Sequence, residues 1–185
     1  MTRLKLPYLK TNANHSILEL IAKGQAFISL SVARWAPVPL RLIVGYGFAE
    51  HGFAKLLRGP DNFTGILHAM GLPAAKTLAL LTIWTEIIGG ACVAIGALVP
   101  LVSIPMVIVL LVAIFTVHLQ YGFSSIKLQA IDATGARFGQ PGYETDLLYL
   151  ACLIALVVGG SGPLSVDRWL ARRVRRRAHH GGRAD

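Results

Sequence analysis

Glu86 is the only formally charged side chain between Thr77 and Leu98, a stretch otherwise made of apolar and small polar residues. At ~1.5 Å of rise per residue this stretch makes ~33 Å of helix, enough to cross a hydrocarbon core of ~30 Å. A carboxylate in such a span is costly, so it should face protein or water rather than lipid, which makes it a candidate functional group. Other titratable side chains gather near the ends of neighbouring apolar segments: Glu50, His51 and Lys55 before it, and His118, Glu144 and Asp146 after it. Together they could exchange a proton at a carboxylate, hydrogen-bond a ligand carbonyl through a histidine and stabilise developing negative charge through the lysine. His51 and Lys55 are i, i+4 neighbours, whereas Glu50 and Lys55 stand ~140° apart on a helix, which leaves Lys55 to reach Glu86 or Glu144. The plainer alternative is that Lys55, His118, Glu144 and Asp146 snorkel into headgroups and that Glu50 and Glu86 make structural hydrogen bonds. His51 and His118 could ligate haem or a metal, but no further ligand spacing accompanies them, so neither is expected. Arg41 and Asp167, on the opposite side, are expected to form a structural ion pair.

Four apolar segments are available to position these residues, at about 38–57, 77–98, 101–119 and 143–162. The first is the weakest by hydropathy, being interrupted by Arg41, Glu50, His51 and Lys55. Its Gly45, Ala49 and Gly52 lie at i, i+4 and i+7, a small-residue stripe that lets another helix approach closely. Asp61-Asn62 can cap a short amphipathic helix carrying Phe63, Ile66, Leu67 and Met70, ended by Gly71 and Pro73. The segment from Gln120 to Gly142 mixes charge with glycine and reads as a loop outside the hydrocarbon. Hydrophobic content of 54% and 15% charged residues over 185 residues, with a mean hydropathy of +0.58, fit an integral membrane protein. The expected fold is all-α: a polytopic four-helix membrane bundle (37–168) between an N-terminal interfacial segment (1–36) and a basic cytoplasmic tail (169–185). Ser16-Ile-Leu-Glu19 has capping-box spacing, and the charges at Glu19, Lys23 and Arg34 favour a helix lying on the interface over an extra span. Met1 to Asn14 has basic residues but no apolar core or cleavage site, so no cleaved signal peptide is expected.

Lysine and arginine set the orientation. Six lie before or at the entry of the first span (Arg3, Lys5, Lys10, Lys23, Arg34, Arg41) and seven in the tail (Arg168, Arg172, Arg173, Arg175, Arg176, Arg177, Arg183), against five between them (Lys55, Arg58, Lys76, Lys127, Arg137). With four spans the positive-inside rule then places both termini in the cytoplasm. Alternating helix direction brings Glu50, His51, Lys55, Glu86, His118 and Glu144 into the outer half of one bundle. The net charge of +9 is concentrated at the chain ends, so nucleic acid is not an expected partner. The arginine tail should instead lie along anionic lipid. Cys92 and Cys152 sit on different segments at depths differing by ~10 Å, beyond disulfide reach, and read as packing residues.

The motifs, taken in order, resemble the DoxX family. Arg41-Leu-Ile-Val-Gly-Tyr-Gly-Phe leading to His51-Gly-Phe-Ala-Lys55-Leu is similar to that family's opening helix, and Met70-Gly-Leu-Pro73 to its first loop. Glu86-Ile-Ile-Gly-Gly90 with Ile95-Gly-Ala-Leu98 resembles its second helix. Gly142-Tyr-Glu144 and then Gly160-Ser-Gly-Pro-Leu-Ser-Val-Asp167-Arg resemble its closing signature. The likeness spans about 38 to 170 and implies a four-helix, multi-pass protein of the bacterial plasma (inner) membrane. Members are associated with redox chemistry, as a subunit of a thiosulfate:quinone oxidoreductase or as membrane partners of oxidative-stress proteins. The resemblance therefore implies a quinone or other small ligand and a redox partner protein, with a second copy of the chain as a further candidate partner. The sequence holds no redox cysteine pair and no recognisable flavin or nicotinamide site, so it reads as a subunit rather than an autonomous oxidoreductase. The alternative is a non-enzymatic scaffold or assembly factor.

Overall fold

The structure, a computed structural model, describes residues 16–17, 19–24 and 32–181. The chain divides into two units, Met1–Ala36 and Pro37–Asp185. In the first, residues 16–17 and 19–24 are helical. Whether 16–36 adds an interfacial helix or a span turns on residues 18 and 25–31, which lie outside the described residues, as does the leader question at 1–14.

The second unit is mostly helical. Helix α1 (Pro37–Leu57) begins on Pro37 and Pro39, whose missing N–H groups cost nothing in a first turn. Helix α2 (Pro60–Ala69) likewise has proline in its first turn. Helix α3 (Ala75–Ile95) closes on Gly96, whose φ of 68° lies in the left-handed region that glycine adopts without strain. Helix α4 (Val99–Ala113) starts almost at once and continues through a π-helical turn (Ile114–His118) and a short 3₁₀ turn (Leu119–Tyr121). Helix α5 (Glu144–Gly159) and helix α6 (Val166–Gly181) complete the series.

Packing among these helices follows from residue size. Helix α1 lies along α3 because Gly45 and Gly90 remove the side chains between them. A Cβ on Gly45 would fall 2.5 Å from the Gly90 carbonyl oxygen, and one on Gly90 would fall 2.6 Å from that of Gly45. The small-residue stripe is thus a backbone-to-backbone contact, where dispersion is gained over the closest approach two helices can make. Helix α4 packs on both α3 and α5, and α5 returns to α1. Between the four lies a core of Val44, Phe48, Val93, Val99, Met106, Leu110, Leu153 and Leu156. Helix α2 covers the start of α3 through Leu67 against Ala75 and Ala79.

The outward faces are as apolar as the core. Ile43 and Phe53 on α1, Leu81 and Trp84 on α3, Ile104 and Phe115 on α4, and Leu148 and Val158 on α5 are all exposed. Apolar faces of this extent suit hydrocarbon rather than water. By length and composition two helices can cross a membrane, Ala75–Ile95 and the continuous Val99–Tyr121. Helix α1 carries Arg41, Glu50, His51 and Lys55, and α5 is short.

The segment read as a plain loop contains an antiparallel hairpin, β1 (Leu128–Asp132) and β2 (Gly135–Phe138), with a register shift between Leu128 and Ala130. Alternation is too short there to announce two strands. A two-stranded hairpin is marginal alone, and this one is closed at its turn by Thr134, whose backbone N–H and hydroxyl both donate to Asp132. Asp132 is consequently held below the usual carboxylate range by those two hydrogen bonds.

Candidate functional site

Two pairs of titratable side chains stand toward one end of the helices. Lys55, in the last turn of α1, donates to both carboxylate oxygens of Glu86 on α3, at 2.7 and 2.5 Å. Gly52 makes room for this: a Cβ there would lie 3.0 Å from Glu86 Cβ and 2.7 Å from Ile87 Cγ1. Glu86 is only 5% exposed. The Lys55 ammonium also sits 5.2 Å from the ring centroid of Phe63 on α2, a cation–π contact that brings a third helix to the pair. Both carboxylate oxygens are occupied, so Glu86 has no oxygen free of a charged partner.

The second pair joins α4 to α5. His118 Nδ1 and Asp146 Oδ2 share a hydrogen bond of 2.6 Å, with Asp146 buried and His118 about a quarter exposed. A carboxylate on Nδ1 fixes the tautomer and leaves Nε2 as the ring atom that can accept. His118 closes the π-helical turn. A π turn adds one residue to the helical repeat and so swings the following side chain round the axis, an arrangement frequent at functional sites.

The other sequence candidates go elsewhere. Glu50 and His51 are exposed and stand 3.9 Å from one another, and the hydrogen bonds that Glu86 accepts come from Lys55. Glu144 accepts from the Ser125 backbone N–H at 2.9 Å, tying the hairpin loop to the start of α5, and is not the partner of Lys55. Arg41 and Asp167 do not form the expected ion pair. The Arg41 guanidinium donates to the carbonyls of Ser161 and Leu164 at 3.0 and 2.9 Å. Asp167 accepts from the N–H groups of Leu98 and Val99 and from the Ser161 hydroxyl. The physical reason is that helix ends leave backbone groups without partners, donors at the start of α4 and carbonyls beyond the end of α5, and each charge satisfies the set that suits its sign. Cys92 and Cys152 are free thiols. Among the described residues no group of three or more His, Cys, Asp or Glu side chains could hold a metal ion.

Sequence reasoning missed Phe63 beneath Lys55 and the engagement of Asp146 with His118. Phe63 gave only an apolar signal on α2, and the π turn that presents His118 has no signature in composition.

The DoxX family model matches residues 36–119, from the residue before α1 to the residue after His118. The chain is 31% identical over 141 residues to the uncharacterized membrane protein Rv3486 of Mycobacterium tuberculosis (strain ATCC 25618 / H37Rv), an alignment covering 72% of this chain and 80% of that protein. No solved structure matches. With exposed apolar faces on its helices and a relative aligned over most of both chains, this chain is a membrane protein of the DoxX family.

Proposed function

We propose that the chain is a four-span subunit of the bacterial plasma membrane, with both termini cytoplasmic, that binds a quinone or other small ligand at its outer polar end in support of an oxidoreductase partner. The observation that carries this reading is the His118–Asp146 hydrogen bond of 2.6 Å at a π turn. It leaves a partly exposed histidine ring oriented by a buried carboxylate. A bound quinone would supply the redox chemistry. His118 Nε2 would hydrogen-bond its carbonyl or hydroxyl oxygen and hold the proton that accompanies electron transfer, while Asp146 keeps the ring oriented and stabilises the imidazolium. Glu86 is a poorer proton carrier than sequence suggests, because releasing it to a ligand means breaking a buried ion pair. Its role in this reading is to hold α1 against α3 beneath the site.

The full chain purified from native membranes and extracted with organic solvent should yield a quinone absorption spectrum. His118→Gln should lose the quinone while keeping its helical circular dichroism. A wild-type extract without quinone counts against the ligand.

A second reading, a non-enzymatic scaffold, draws support from the Lys55–Glu86 pair. Two charges that satisfy one another and close a helix contact suit an architectural role as well as a catalytic one. A pull-down from native membranes separates the two by whether an oxidoreductase accompanies the chain.

A further inference from the structure

We propose that α6 is an interfacial helix that docks on an anionic lipid leaflet at the end of the molecule marked by the α3–α4 turn. Its first turn is fixed to that turn: the Asp167 N–H donates to the Gly96 carbonyl at 3.1 Å, and the Asp167 carboxylate accepts from Leu98 N–H at 2.8 Å. Gly96 to Leu98 joins the two helices long and apolar enough to span, so it lies where the hydrocarbon ends. Helix α6 therefore starts at the membrane surface, whatever its later course.

Its side chains suit that surface. Val166, Trp169, Leu170 and Val174 fall at i, i+3, i+4 and i+8, and all four are exposed. At ~100° per residue they share one side and Arg168, Arg172 and Arg175 fall on the other, while Arg173 comes round to the apolar side, where its long stem can carry the guanidinium up to the headgroups. Arg173 stacks over Trp169, its guanidinium carbon 3.9 Å from the ring centroid. A tryptophan with a cation on its face has an apolar edge for the acyl boundary and a charged cap for the headgroups. The acidic residue of the helix, Asp167, is already engaged at the α3–α4 turn, and the sequence from Arg168 to Gly181 holds no further acidic residue. Anionic headgroups supply complementary charge at a surface the fold already reaches. An acidic protein would supply the charge but would not explain the apolar side.

The test uses the full chain with Trp35→Phe and Trp84→Phe, leaving Trp169 as the reporter, in vesicles of phosphatidylcholine alone or with phosphatidylglycerol at 3:1. Brominated lipids should quench Trp169 in the anionic vesicles, and acrylamide should quench it less there than in the neutral ones. Arg168→Gln with Arg172→Gln and Arg175→Gln should weaken lipid contact by about fivefold per arginine removed. Amide exchange of α6 in the unsubstituted chain should slow in anionic vesicles, a readout that needs no folded variant. Equal acrylamide quenching in both compositions, with unchanged amide exchange, would overturn the proposal. So would a Trp169 that stays acrylamide-accessible in anionic vesicles and is protected only when polyglutamate is added.

Discussion

Lys55 reaches both oxygens of Glu86 from one turn beyond Gly52, so the glycine that lets α1 settle on the Glu86 turn of α3 and the charge pairing are parts of one contact. The pair is costly to split, because the 5% exposure of Glu86 leaves a lone carboxylate little water to turn to.

Glu86→Gln should therefore destabilise the chain by about 3 kcal/mol, toward the low end for buried pairs since Lys55 keeps some solvent. Lys55→Met in the same chain should recover part of that loss by removing the orphaned charge. Detergent-solubilised unfolding of the single and double variants reads both numbers. Equal stability of Glu86→Gln and wild type, with a lost redox phenotype, would make the carboxylate functional rather than structural.

Gly90→Ala should cost about 1–3 kcal/mol through forced separation of α1 and α3, since the new Cβ would lie 2.6 Å from Gly45 O and 2.7 Å from Ala49 N. Gly65→Ala on α2 meets nothing within 4 Å and should stabilise by up to about 1 kcal/mol through reduced chain entropy. Opposite signs in one thermal-melting series are the expected result. A Gly90→Ala chain that melts like wild type would contradict the contact.

Asp167→Ala should lower stability by about 1 kcal/mol, the ordinary worth of a helix-capping side chain. Asp167→Asn, which retains an acceptor for Leu98 N–H, should lose less. Chemical denaturation in detergent compares them, and an Asn variant as weak as the Ala variant would assign the effect to charge instead of capping.

The hairpin should loosen in acid. Asp132 titrates below its ordinary range because Thr134 hydrogen-bonds its ionised form. Its stabilising effect is therefore complete above the unfolded carboxylate pKa of about 4 and is lost as pH falls through the lower folded value. Amide exchange across residues 128–138, corrected for intrinsic rate, should show protection falling below that window. Asp132→Asn should show no such pH step.

Reporter fusions test orientation. A reporter active only outside the cytoplasm should respond after residues 65 and 130 and stay silent after residue 180, because lysine and arginine concentrate at the two chain ends. A responding C-terminal fusion would invert the topology.

Where α1 to α5 run, and that the Gly45–Gly52 face of α1 meets another helix, was legible in the chain itself, whereas the helical course of the arginine-rich tail and the part played by Gly90 were not. Apolar stretches punctuated by proline and glycine have few alternatives once every backbone group must be paired inside the segment. Gly45, Ala49 and Gly52 announced a close contact because small residues at helical spacing serve little else. The partners of the charged residues were another matter. Lys55 could face Glu86 or Glu144 until the stripe fixed how α1 rotates against α3. His118 meets Asp146 at the end of a π turn, and one inserted residue turns a side chain by ~100° without changing composition. Arg41 and Asp167 have opposite charges at the same edge, yet they bind backbone groups exposed by helix ends. Sequence determines which segments are helical through local periodicity and solvent preference, whereas pairing depends on angular phase and helix termini that only the packed chain decides.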